Sequence, residues 1–127
     1  MRDPRQLEVA DLALNLADIT YRVTRGFPSD ERFSLVAQMR RAAVSVGSNI
    51  AEGCGRSTDR AFVNYIDMAL GSLLELDFQA QVAIRLGHGN PDMVRELRAA
   101  TGQLRRMLAS LSASVRRKTP VAASRGQ

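Results

Sequence analysis

The chain has 127 residues, of which 45% are hydrophobic, and its 18 Lys and Arg against 13 Asp and Glu give a formal net charge of +5. This length fits one domain with a substantial hydrophobic core. The single Cys and single His exclude a disulfide framework and a zinc site built from the Cys and His residues of one chain. The absence of Trp argues against a surface that stacks bases.

The N-terminal segment lacks the form of a secretion signal, because Asp3, Glu8 and Asp11 interrupt it. No apolar run approaches the ~18 residues of a membrane span. These features predict a cytoplasmic protein that does not associate with a membrane.

The first predicted helix has two apolar stripes on nearly opposite sides. One stripe contains Leu7, Ala10, Leu14, Ala17 and Tyr21, and the other contains Leu12, Leu16, Ile19 and Val23. A helix in a small bundle needs an apolar stripe little wider than ~100°, and this helix has about twice that width. The excess predicts self-association, and the residues of the second stripe are predicted to be structural or to lie at a subunit interface.

Three further helices follow from apolar residues at steps of three and four. Ser29 is the predicted N-cap of the second helix, and Gly53 is its predicted left-handed C-terminal residue. Ser57 is the predicted cap of the third helix, which runs to about Leu86, and Asn90 is that of the fourth. Strand-like alternation is missing. The chain is therefore predicted to be all-α, an up-down-up-down four-helix bundle over residues 1–111.

Residues 112–127 are predicted to form a disordered basic tail, because no sustained apolar period continues past Val115. The last twelve residues contain four cations and no acid, so residues 1–115 have a net charge of only +1. Those cations are Arg116, Arg117, Lys118 and Arg125. The tail is either a frayed terminus or an arm that contacts phosphates.

The richest polar stretch, residues 38–56, lies on the second predicted helix. Its side chains either hydrogen-bond across helices or subunits, or present cations to phosphate groups. The candidates for the structural role are Ser45, Ser48, Asn49 and Glu52. The candidates for phosphate binding are Arg40, Arg41, Arg56 and Arg60.

The sequence does not favour an enzyme. Glu75 and Asp77 lie two residues apart on a helix and point to different faces, so they cannot act on one substrate. Glu75 is expected to pair with an Arg of a facing helix, and His88 to be an exposed turn residue. Cys54 has only Arg56 as a basic neighbour, and we interpret it as an incidental thiol. No phosphate-cradling or dinucleotide glycine pattern is present, so no cofactor or metal is predicted.

Residues 27–56 resemble the signature of the four-helix bundle proteins encoded by intervening sequences of bacterial 23S rRNA genes. The run Ser-Asn-Ile-Ala-Glu-Gly at 48–53 is specific to this signature, and the resemblance covers about residues 5–110. It implies a bundle that assembles as a ring-like homopentamer. That family is similar to the accessory variability proteins of diversity-generating retroelements, which are positively charged pentameric bundles that bind nucleic acid and a reverse transcriptase.

Two functional hypotheses follow. In the first, the chain is a non-enzymatic, oligomeric accessory protein that binds RNA or an RNA–DNA hybrid electrostatically, with weak sequence specificity. The predicted contacts are Arg40, Arg41, Arg56, Arg60, Arg116, Arg117 and Lys118. In the second, the oligomer is a protein-interaction scaffold for a partner enzyme such as a reverse transcriptase, and its Arg residues form ion pairs within and between subunits.

Overall fold

The computed structural model describes residues 3–118, which form four α-helices and contain no strand. Helix α1 spans Pro4–Thr24, α2 spans Leu35–Cys54, α3 spans Asp59–Leu86 and α4 spans Pro91–Lys118. Each helix packs against its neighbours in the chain, and α1 also packs against α4. This closed arrangement confirms the predicted all-α four-helix bundle. None of the helices within 3–118 is both long enough and apolar enough to cross a membrane.

Helix α1 buries the stripe that was predicted to be structural or to form an interface between subunits. Leu16, Ile19 and Val23 are at most 3% exposed within the single chain, and Leu12 is half-buried against the same core. This burial favours the structural alternative for the stripe over the subunit interface. The opposite stripe is the exposed one, with Leu7 57% and Leu14 72% exposed.

The buried face of α1 also includes Thr20, a polar residue that the apolar pattern passes over. The buried line of α1 consists of Val9, Ala13, Leu16, Thr20 and Val23. These residues follow steps of four and three, as expected for a helix face that packs on a core. Thr20 fits this line because its hydroxyl donates a hydrogen bond to the Leu16 carbonyl over 2.8 Å, which satisfies it inside the helix.

The connection between α1 and α2 differs from the prediction. Ser29 begins a short 3-10 helix over Ser29–Glu31 and does not cap α2, which starts after Ser34. Ser34 does not use its hydroxyl to cap α2. That hydroxyl instead donates to the Glu31 carboxylate over 2.6 Å. The polar residues of this segment therefore stabilise the connecting turn.

The junction of α2 and α3 also corrects two predicted caps. Gly53 is buried inside α2 and is not left-handed; the helix ends at Cys54, and Gly55 is its C-cap with φ of −85°. A Cβ at residue 53 would lie 3.0 Å from the Cβ of Tyr65, so glycine allows α3 to pack closely here. Thr58, one residue after the predicted cap Ser57, accepts a hydrogen bond from the Ala61 amide over 3.2 Å.

The predicted turn between α3 and α4 is confirmed. Gly87 ends α3 in the left-handed conformation with φ of 71°, which a residue with a Cβ rarely adopts. The Asn90 side-chain oxygen accepts hydrogen bonds from the amides of Asp92 and Met93 over 2.9 and 3.1 Å. These bonds fix the start of α4.

Helix α4 continues through the first seven residues of the predicted tail. Ser112 and Val115 are only 5% and 7% exposed, because Val115 follows Leu111 by four residues and extends the apolar line of the helix. The tail boundary at residue 112 is therefore wrong. Residues 119–127, the rest of the predicted tail with Arg125, lie outside the described residues.

Candidate nucleic-acid interface

The polar face of α2 lies at the surface and lines an open groove with a volume of about 800 Å³. Tyr21 of α1 and Glu75 of α3 also line this groove. The α2 side chains include Gln38, Arg41 and Ser48, all exposed. The groove therefore contains both charge signs and is not a purely basic cleft.

Arg40 is bound to α1. Its Nε donates a hydrogen bond to the Thr24 hydroxyl over 2.9 Å, and its Nη2 donates to the Tyr21 carbonyl over 3.4 Å. The guanidinium also lies 4.4 Å from the centre of the Tyr21 ring, a cation–π contact. This geometry favours the structural alternative for Arg40. Arg41, the next residue, is exposed and has no hydrogen bond or ion pair with another residue in 3–118.

Ser45 joins α2 to α3 within one chain, and Asn49 bonds to Ser45 inside α2. The hydroxyls of Ser45 and Ser72 lie 2.9 Å apart and share a hydrogen bond between the two helices. The Asn49 amide donates to the Ser45 carbonyl over 2.9 Å. The first bond supports the structural role predicted for Ser45 across helices, and the second gives Asn49 a structural contact within its own helix. Ser48 is exposed in the groove, and its predicted role stays a prediction.

Near the junction of α2 and α3, one predicted arginine has an ion-pair partner and another has none among the described residues. Arg56, just beyond the end of α2, forms an ion pair with Glu52 in the last turn of that helix, and its guanidinium lies 5.2 Å from the Tyr65 ring centre. Glu52 therefore acts as a surface partner at the C-terminal end of α2. Arg60, at the start of α3, is exposed and has no ion-pair partner among the described residues.

An ion pair joins the middle of α3 to α4, but its acid is not the one expected. Arg98 donates to the Asp77 carboxylate over 3.0 and 3.3 Å, and the Thr101 hydroxyl lies 3.2 Å from it. Burial, the largest single influence, raises the pKa of Asp77, but the hydrogen bonds and charge of Arg98, with hydrogen bonds from Gln81 and Thr101, together hold the pKa below its ordinary value. Glu75 was expected to make such a pair. It is instead exposed on the side of α3 that lines the α2 groove.

The last turn of α4 contains three of the predicted phosphate contacts. Arg116 pairs with Asp67 of α3 over 2.6 Å. Arg117 and Lys118 are exposed and have no hydrogen bond or ion pair with another described residue. Of the seven predicted contacts, three are therefore engaged within the chain and four are not. The unengaged residues are Arg41, Arg60, Arg117 and Lys118.

The sequence analysis missed two arginines in α4. The helix contains seven cations and two acids, a net charge of +5 that equals that of the whole chain. Arg105 and Arg106 are exposed, and neither has an ion pair or hydrogen bond with another residue of 3–118. One sequence signal could have found them, since no acidic residue follows Glu96. The net charge thus belongs to α4 and not to a tail.

His88 is part of a structural contact, contrary to the expectation that it is exposed. Its Nε2 lies 2.8 Å from the Glu31 carboxylate, and its ring centre is 5.6 Å from that of Phe27. Hydrogen bonds from Ser34 and then from His88 hold the pKa of Glu31 below its ordinary value. Within residues 3–118, no three His, Cys, Asp or Glu residues are grouped to hold a metal ion.

Comparison with known proteins gives one family and one fold. A family model described as 23S rRNA-intervening sequence protein matches residues 5–110. A crystal structure from Bacteroides thetaiotaomicron, described as a protein of unknown function from the S23 ribosomal protein family, superposes with a TM-score of 0.79 at 19% sequence identity. The match covers 86% of this chain and 98% of that one, and at this identity it shows the fold alone. No curated protein matches the chain.

Proposed function

Because the chain belongs to the family of 23S rRNA-intervening sequence proteins, we propose that it is a cytoplasmic, non-enzymatic accessory protein that binds nucleic acid as a ring-like oligomer. Its ligand is RNA or an RNA–DNA hybrid. Arginine and lysine side chains bind the phosphates, so affinity is mostly electrostatic and only weakly sequence-specific.

The observation that supports this proposal is a set of exposed cations that form no ion pair among the described residues. Arg41, Arg60, Arg117 and Lys118 have neither an ion pair nor a hydrogen bond with any residue in 3–118. A phosphate that approaches such a side chain displaces only water and counterions, and the release of counterions favours binding. Arg40, Arg56 and Arg116 already have partners, so they contribute less to phosphate binding.

Exposed apolar side chains support the oligomeric part of the proposal. Leu7 and Leu14 of α1 lie two turns apart on one face, and Met68 and Phe78 of α3 are 55% and 65% exposed. Between these α3 residues lies Gly71, where an added Cβ would meet no atom within 4 Å. Exposed apolar faces of this kind are typical of surfaces that pack on a partner. A homopentamer, the assembly that the family resemblance implies, would combine five copies of the +5 chain and add avidity.

The scaffold alternative has support from the ion pairs. Arg56 with Glu52 and Arg116 with Asp67 use arginines within the chain, as that alternative expects. In it, the exposed apolar face of α3 contacts a partner enzyme such as a reverse transcriptase. A pull-down after nuclease treatment separates the two functions, because capture of a protein partner survives the treatment only in the scaffold.

The proposal is tested with the purified full chain and fluorescently labelled RNA and RNA–DNA hybrid. We expect fluorescence anisotropy to show binding that weakens steeply between 50 and 200 mM salt. Light scattering during gel filtration reports the number of subunits. Absence of binding to both ligands at 50 mM salt contradicts the nucleic-acid function, and a monomeric mass contradicts the oligomer.

A further inference from the structure

Helix α4 differs from the rest of the chain in its charge. Its net charge is +5, whereas residues 1–90 contain ten cations and eleven acids, a net charge of −1. The outer face of α1 even presents exposed acids at Glu8 and Asp11. A polyanion is therefore attracted to one side of the bundle, and that side is α4.

Three of the seven cations of α4 lie in a line along the surface of the helix. Arg95, Arg106 and Arg117 are each eleven residues apart, which is close to three helical turns and places them on one face. Successive members lie ~16.5 Å apart, and the line spans ~33 Å. Arg95 pairs with Asp92 on the surface, whereas Arg106 and Arg117 have no partner among the described residues.

Helix α3 neutralises only part of the flank of α4. Arg98 and Arg116 pair with Asp77 and Asp67 of α3. Arg105 lies between these two arginines along the same flank, and it has no ion pair within 3–118. The unpaired cations of α4 are therefore Arg105 and Arg106 in the middle of the helix, and Arg117 and Lys118 at its end.

Most residues between these cations are small, and none of α4 is aromatic. The outer face between Arg95 and Arg117 contains Ala99, Gly102, Ala109, Ser110 and Ala113. A Cβ at Gly102 would lie 3.4 Å from Nη1 of Arg106, so the guanidinium lies low over the helix there. A long partner can therefore approach the helix closely. Without aromatic rings the helix cannot stack bases, which is how single strands are commonly bound.

From these features we infer that the outer face of α4 is a binding surface for double-helical nucleic acid, contacted through its phosphates. This inference rests on the proposed nucleic-acid function and makes it specific. A duplex displays its phosphates outward and keeps its bases stacked inside, so it suits a surface that offers cations and no rings. The line of ~33 Å would span about ten base pairs at the ~3.4 Å rise of B-form DNA, and somewhat more in the A-form helix of RNA, which rises less per base pair.

Three variants test the surface, and each removes two exposed arginines. The α4 variant is Arg105→Ala with Arg106→Ala, and the α2–α3 variant is Arg41→Ala with Arg60→Ala. The matched control is Arg25→Ala with Arg85→Ala, both exposed and outside every proposed site. Since alanine favours helix, the variants should fold, which circular dichroism checks. The probes are a 24-base-pair RNA duplex, the matching RNA–DNA duplex and one of the RNA strands.

We expect the α4 variant to lose about tenfold or more in duplex affinity at 100 mM salt. Its slope of log affinity against log salt should fall by about 1.8, because two phosphate contacts are lost at about 0.9 each. The control should change affinity by less than about threefold through the general loss of charge. Wild-type protein should bind either duplex more tightly than the single strand.

The outcomes separate this inference from the function on which it rests. If the wild-type chain binds no probe, both are wrong. If it binds, but the α4 variant matches the control while the α2–α3 variant loses affinity, the function stands and the α4 surface is wrong. Tighter binding of the single strand than of either duplex also overturns the inference.

Discussion

Replacing Arg40 and Arg41 one at a time by alanine tests whether neighbouring arginines have different roles. Both variants, Arg40→Ala and Arg41→Ala, lower the net charge by one, so any general effect of charge is the same. Arg40 contacts Thr24 and Tyr21 of α1, whereas Arg41 has no hydrogen bond or ion pair with another described residue. The structure therefore predicts that only the first substitution weakens the packing of α1 on α2.

The magnitude follows from the contacts that Arg40 loses. The cation–π contact with Tyr21 contributes about 0.5–1 kcal/mol at a partly exposed site, and the hydrogen bond to the Thr24 hydroxyl about 1 kcal/mol. The Thr24 hydroxyl still donates to the Thr20 carbonyl over 2.7 Å, so no buried polar group is left unpaired. We expect Arg40→Ala to lower the free energy of unfolding by about 1.5–2 kcal/mol, and Arg41→Ala to change it by less than about 0.5 kcal/mol.

Urea unfolding followed by circular dichroism at 222 nm measures this difference at one fixed protein concentration, because self-association would alter the apparent stability. With an m value of about 2 kcal/mol/M, the midpoint of Arg40→Ala should fall by about 0.8–1 M. The midpoint of Arg41→Ala should stay within about 0.25 M of wild type. Equal shifts in the two variants would refute the structural role of Arg40.

Two further predictions concern the junctions of the bundle. Gly53→Ala should destabilise the protein by about 1–2 kcal/mol, because the new Cβ would lie 3.0 Å from the Cβ of Tyr65. Gly71→Ala should stabilise the single chain by about 0.5–1 kcal/mol in the same urea experiment, because its Cβ meets no atom within 4 Å and alanine favours helix. A Gly53→Ala protein more stable than Gly71→Ala would contradict the packing described at Gly53. Glu31 has a lowered pKa, so its contribution to stability is full above its ordinary value and is lost as pH falls through the folded value. Glu31→Gln should therefore flatten the acid limb of thermal stability measured between pH 6 and 2, and an unchanged limb would show that the hydrogen bonds of the Glu31 carboxylate with Ser34 and His88 do not stabilise the fold.

The apolar spacing predicted the helices, but it could not decide which face of α1 is buried. Periodicity identifies apolar lines without saying which of them packs on the core when two are present. Thr20 decided between them in α1, because a hydroxyl that bonds its own helix can be buried like an apolar group. Likewise, Gly53 matches a helix-ending pattern, but its role depends on how closely α3 approaches, which is a tertiary property.

The sequence predicted which residue types the candidate site contains, but not which of its arginines have partners in other helices. Sequence spacing finds partners within a helix, such as Asp18 and Arg22 of α1, four residues apart. It cannot show that Arg40 contacts Tyr21 of another helix. The basic character of α4 was available from the sequence, because no acidic residue follows Glu96, but the assignment of the last residues to a tail concealed that these cations belong to one helix.

The two acids of α3 that face α4 compete with phosphate for part of the basic surface. Asp67 already occupies Arg116, and Asp77 already occupies Arg98, so a phosphate must displace a carboxylate to reach either guanidinium. An internal competitor of this kind lowers the affinity of these two arginines for phosphate and speeds the dissociation of a long polyanion. Loss of the Asp67 carboxylate would remove that competitor and convert a reversible contact into a more persistent one.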